Sequence, residues 1–132
     1  MLQFSTALWN AMLDAVETAI GASPTLQLRT GNMPASGDTA SSGTVVATMA
    51  LPSNWMADAA NGSKAKLGTW QDINADASGT IGHFEIRSSG GATGLRGSVT
   101  LTGGGGDIEL DQVSLNASQS VTITAFNLTK PA

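Results

Sequence analysis

The feature that most constrains this chain is a change of hydrophobic rhythm at Gly21–Pro24. Before it, apolar side chains recur as on a helix; after it, they alternate with polar ones. Over residues 5–20, at about 100° per residue, Leu8, Trp9, Met12, Leu13, Val16, Ala19 and Ile20 fall on one arc roughly 140° wide. Asn10, Asp14, Glu17 and Thr18 take the other side. Ser5 is placed to cap the first turn, and Phe4 to pack on Trp9 as a hydrophobic staple. Gly21 suits the left-handed position that closes a helix, and Pro24 prevents continuation. The spacing predicts an amphipathic helix over 5–20.

From Thr25 onward the period is two. Leu26 and Leu28 alternate with Gln27 and Arg29, and residues 32–43 form a long polar loop. Val45, Ala47, Met49 and Leu51 then share one strand face, closed by Pro52. Val46 and Ala50 on the other face indicate a strand covered on both sides. Ala65 and Leu67 begin a weaker strand ending near Trp70. Phe84 and Ile86 alternate with His83, Glu85 and Arg87, which assigns those three to the solvent face. Leu95, Val99 and Leu101 alternate with Arg96, Ser98 and Thr100, and Ile108 and Leu110 alternate with Glu109 and Asp111. Val121 and Ile123 lie on one face but Phe126 and Leu128 on the other, a parity change that predicts a bulge or a strand moving between sheets. About seven short strands with no second helical pattern predict a mainly β fold. The expected form is an antiparallel, jelly-roll-like β-sandwich with one N-terminal amphipathic helix. It would occupy a single domain over 1–132, with the helix at 5–20 and the sandwich at 25–129.

Composition narrows the function classes. The chain has 132 residues, 41% of them apolar, which suits one packed core. Its net charge of −4 and its six scattered Lys and Arg residues argue against nucleic acid, whose phosphates need clustered cations. Without cysteine there is no disulfide, thiolate or cysteine metal site. The N-terminus lacks a basic region, and Asn10, Asp14 and Glu17 interrupt its apolar positions. It therefore reads neither as a signal peptide nor as a membrane span. Glycosylation-type triplets at Asn61, Asn116 and Asn127 read as chance in a Ser/Thr-rich chain.

Four patterns invite a chemical reading. Asp72, Asn74, Asp76 and Ser78 place oxygens at alternate positions, as in the opening of a calcium loop. Ala77 stands where such a loop needs glycine, and His83 where it needs the closing glutamate, so an Asx-rich turn is expected instead. His83, the single histidine, has neither cysteine nor an evident catalytic partner, so an ordinary surface or interfacial histidine is expected. Glu109 and Asp111 share a strand face and read as polar alternates rather than as a glycosidase pair. Gly103–Gly106 is followed by Asp107 and Glu109, which would repel phosphate, so it reads as a hairpin or loop tip. No catalytic residue, cofactor or metal is expected. Trp9, Met12, Trp55 and Met56 are the candidates for a protein–protein interface, because Trp and Met are enriched at contact patches. Trp55 and Trp70 could alternatively form stacking faces for a carbohydrate.

Several stretches together resemble a known group. They are Phe4–Leu8, Leu13–Glu17 and Ile20–Pro24; Leu51–Met56; Gly68–Trp70; Gly79–Phe84; and Val121–Phe126. Their order and spacing resemble small virion structural proteins of tailed bacteriophages and prophages over nearly the whole chain. The resemblance is most specific at the N-terminus and carries no catalytic motif. It implies a particle component, assembled in the bacterial host cytoplasm. The role it favours is a capsid cement or decoration protein, with a tail component next. The implied partner is the major capsid protein, or a tail protein, and the implied state a homo-oligomer, dimer or trimer; neither nucleic acid nor membrane is implied.

Overall fold

A computed structural model describes residues 2–129. The helix α1 spans Thr6–Ile20. Ser5 caps it, its hydroxyl accepting from the Leu8 N–H at 3.2 Å, and the Phe4 and Trp9 rings meet at a tilt of 48° with centroids 5.2 Å apart. At the far end Gly21 takes φ 93° while its N–H donates to the Glu17 carbonyl. Both ends thus form as the local sequence dictates.

Ten strands follow among the described residues: β1 Thr25–Thr30, β2 Val45–Ala50, β3 Ser63–Ala65, β4 Trp70–Asp72, β5 Gly79–Arg87, β6 Thr93–Leu101, β7 Ile108–Leu110, β8 Ser114–Leu115, β9 Val121–Ile123 and β10 Asn127–Thr129. The main sheet runs β2-β1-β5-β6-β7, with β8 pairing the start of β5; β3–β10 and β4–β9 form two small ribbons. The protein is therefore mainly β with one helix, as expected. Its curled main sheet is mixed rather than purely antiparallel, because β6 and β7 run parallel, with Val99 beside Ile108 and Leu101 beside Leu110.

That parallel pair decides between the two readings of the glycine run: it is a loop tip and not a hairpin. Parallel neighbours ordinarily need a crossover of a dozen or more residues. Here residues 102–107 suffice because the chain doubles back flat against its own strand. The Gly106 N–H donates to Thr100 Oγ1 at 3.0 Å, and the Gly104 N–H to the Leu101 carbonyl at 2.8 Å. A Cβ at Gly104 would lie 2.7 Å from Thr100 Cβ, and one at Gly106 2.9 Å from the Thr100 nitrogen. Only glycine allows that approach.

The inner face of the main sheet carries Leu26, Leu28, Ala47, Met49, Phe84, Ile86, Val99, Ile108 and Leu110, all buried. A file of rings ties the ribbons to it. Trp55 meets Trp70 at 6.1 Å, Trp70 meets Phe126 at 5.6 Å, and Phe126 meets Phe84 edge-on at 5.6 Å. Such contacts add to the burial of the rings themselves. The parity change near the C-terminus is a move between ribbons: β9 pairs β4, and β10 pairs β3. On β2, Val46 is buried but Ala50 is exposed, so double cover holds at one end of that strand only.

Candidate functional site

The outer face of the main sheet holds the first candidate. Cross-strand partners in an antiparallel sheet project to the same side. The register places Arg29 opposite His83, Gln27 opposite Glu85, Glu85 opposite Arg96, and His83 opposite Ser98. Alternation along β5 assigns His83 and Glu85 to the solvent face. Instead His83 and Glu85 are fully buried and Arg29 nearly so. The cause is the segment 31–44, here called the strap, which folds over this face.

All three arginines of the chain converge on Glu85. Arg96 Nε donates to Glu85 Oε2 at 2.6 Å. Arg87 Nε and Nη2 donate to Oε1 at 3.1 and 3.0 Å, and Arg29 Nε stands 3.5 Å from the same oxygen. From the strap, the Ser41 hydroxyl donates to Oε1 at 3.0 Å and accepts from Arg87 Nη2 at 2.6 Å. The Ser36 and Ser42 carbonyls accept from Arg96 Nη1 and Arg29 Nη1 at 2.7 and 3.2 Å. Burial disfavours the Glu85 carboxylate, but the hydrogen bonds from Arg96, Arg87 and Ser41 outweigh it and hold its pKa below the usual glutamate range. Beside this cluster, His83 Nδ1 lies 2.9 Å from the Gly31 carbonyl. A carbonyl can only accept, so Nδ1 carries a proton and donates. His83 Nε2 has no hydrogen-bond partner among the described residues.

The second candidate is the surface around α1. Its polar side is anchored to the residues 57–64. Lys64 is buried, and its ammonium donates to Asp14 Oδ1 at 2.7 Å and the Ala57 carbonyl at 2.9 Å, with Glu17 Oε1 at 2.9 Å. Its three protons thus meet three acceptors. Burial opposes the Lys64 charge, yet the hydrogen bonds to Asp14 and Glu17 prevail and hold its pKa above the ordinary lysine range. The bonds from Lys64 and from the Ala59 N–H lower the Asp14 pKa. Asn10 Oδ1 accepts from the Gly62 N–H at 2.9 Å.

With the polar side engaged, part of the apolar arc is left outside. Leu13 and Ile20 are buried and Val16 packs on the core, whereas Leu8 and Met12 are 47% and 36% exposed. Met12, Ala15, Val16 and Ala19 line one wall of an apolar groove of ≈ 460 Å³; Gly94, Leu95 and Leu128 line the other. Of the four interface candidates, Met12 lies on this groove and Trp9 is half-buried on the same helix. Trp55 and Met56 require correction. Both are buried in the core, and the Trp55 indole donates to the Gly21 carbonyl at 3.0 Å, joining the helix end to the ribbons. Trp70 is equally buried, with its indole bonded to the Leu67 carbonyl. Neither ring offers a stacking face to a carbohydrate.

The remaining patterns resolve locally. Asp72 Oδ1 accepts from the Asn74 N–H at 2.9 Å, an Asx turn, while Asp72 Oδ2 and Asp76 Oδ2 accept from the Thr48 N–H and hydroxyl at 3.0 and 2.7 Å. The acidic run thus covers the β2 edge. Glu109 and Asp111 are exposed beside a shallow polar cavity of ≈ 360 Å³, and a Glu109 oxygen accepts from the Gly105 N–H. The chain matches no family model, no curated protein and no solved structure.

Proposed function

We propose that this chain is a structural assembly protein of a tailed-phage particle, acting without catalysis as a capsid cement or decoration protein on a jelly-roll-like sandwich. The observation that carries the reading is the apolar groove along α1, together with the exposed Leu8 and Met12 beside it. Contiguous apolar surface on a folded domain is a feature of contact sites. A cement protein joins neighbouring subunits through modest contacts that particle symmetry multiplies. The whole-chain resemblance set out above points to the same role, and the polar strap and the helix are the elements suited to reach a capsid subunit.

The test is mass spectrometry of purified particles from the phage or prophage that encodes the chain. The expected result is the chain present in hundreds of copies per particle, the order of capsid symmetry. A ring-like stoichiometry of about six or twelve would move it to the tail, and its absence from particles would end the proposal. Met12→Asp and Leu8→Asp should strip it from particles while leaving its own fold intact, since both side chains are outside the core.

A further inference from the structure

We infer that the arginine cluster beneath the strap is a receptor for an acidic segment of a partner chain, uncovered when the strap lifts. The inference rests on the assembly reading and names the chemistry of the partner.

Three guanidinium groups face a single carboxylate, Glu85. The local balance is therefore +3 − 1 = +2, on a chain whose net charge is −4. The other acceptors at the cluster are neutral: the Gln27 side-chain oxygen, the Ser36 and Ser42 carbonyls, the Ser41 hydroxyl and the Gly91 carbonyl. Neutral oxygens satisfy N–H donors but leave the charge uncompensated. A carboxylate does both, and it matches the guanidinium fork with two parallel bonds. Asp38, the acid within the strap, forms no ion pair with any arginine among the described residues.

The strap is built to come away. It contains no helix or strand, and every residue from 31 to 44 except Pro34 is exposed. It has no apolar anchor in the core. Its ties are the serine contacts to the arginines and to Glu85, the pairing of Thr30 and Thr44 at its base, and the Gly31 carbonyl on His83. Segments held by few polar contacts open at far lower cost than the fold they cover. A partner can enter beside Arg87, whose side chain is 23% exposed against 3% for Arg96. His83 Nε2, which has no hydrogen-bond partner among the described residues, lies on the same sheet face and is available to an incoming polar group. An acidic chain repels acidic partners at long range, so a basic site confined to one face sets the orientation of docking.

The test uses the intact chain and a short glutamate-rich peptide, with a glutamine-for-glutamate peptide and inorganic phosphate as comparisons. Binding is read by calorimetry, and strap opening by hydrogen exchange of the amides 31–44. The glutamate peptide should bind, more weakly as salt rises, and should raise exchange in 31–44; the glutamine peptide should not. Arg87→Gln should weaken binding roughly tenfold, the loss of one charge-assisted contact. Glu85→Gln, which raises the surplus to three while keeping a hydrogen-bonding side chain, should strengthen it. A purely structural cluster would give no gain in affinity for Glu85→Gln, and that result overturns the inference. Failure of both the native chain and Glu85→Gln to bind the peptide overturns the inference, as does binding unaffected by Arg87→Gln. Phosphate binding without peptide binding also overturns it, and would assign the cluster to small oxyanions. Presence in particles without peptide binding would defeat this inference alone. Peptide binding by a chain missing from particles would defeat the assembly reading instead.

Discussion

Two charge clusters of opposite composition stand out among the described residues. At the helix, one cation, Lys64, is held by two carboxylates, Asp14 and Glu17. On the outer sheet face, one carboxylate, Glu85, is held by three arginines. The first fastens an element with its own backbone hydrogen bonds, a capped start and two buried side chains, Leu13 and Ile20. The second fastens a strap with no regular structure and no buried apolar residue. Breaking the helix cluster should loosen one element among several attachments, whereas breaking the strap cluster should remove nearly all that holds the segment. A buried ion pair therefore matters according to what else secures the element it fastens.

The largest expected effect comes from Glu85→Ala. It leaves three mostly buried guanidinium groups without their counter-charge, and removing one partner of a buried pair costs about 3–5 kcal/mol. Chemical denaturation should show that loss, and hydrogen exchange should place the first opening at 31–44. If the strap stays protected, the contrast between the clusters fails.

Lys64→Ala should cost less, about 1–3 kcal/mol. Its partners Asp14 and Glu17 are 45% and 22% exposed and can be rehydrated in place. Helical circular dichroism should persist, while exchange rises in the segment 57–64. Loss of the helix itself would show that Lys64, not the apolar contacts, holds it.

Changing pH acts on both clusters by degrees. The folded pKa values of Glu85 and Asp14 are lowered from 4.5 and 3.8, so their stabilising contributions are present above those values. They are lost as pH falls through the folded pKa values. The Lys64 pKa is raised from 10.5, so its contribution is complete below that value and lost as pH rises through the folded one. Acid should therefore weaken both clusters and alkali the helix cluster alone. Stability against denaturant, followed across pH for the native chain and Lys64→Ala, checks this: only the native chain should show the alkaline decline.

The smallest expected effect is Ser5→Ala, which removes the cap bonded to the Leu8 N–H and should cost about 1 kcal/mol. It should speed exchange in the first helical turn and leave 31–44 unchanged, marking the two regions as independent.

What was legible in the sequence was whatever neighbouring residues decide among themselves. Ser5, Phe4, Gly21 and Pro24 set the helix limits, alternation set the inward side of β1, β5 and β6, and the parity change located the move from β9 to β10. Alternation tells which residues share a face but not what covers that face. His83, Glu85 and Arg87 have the period of a solvated side, and only the folding of 31–44 across Arg29, Glu85 and Arg96 buries His83 and Glu85 and half-covers Arg87. The helix shows the converse: its polar side meets Lys64, some fifty positions away, and leaves Leu8 and Met12 outside. Local steric and hydrogen-bonding preferences act over a few residues and can be read along the chain. Burial depends on contacts between distant segments, which only strand register and loop path bring together.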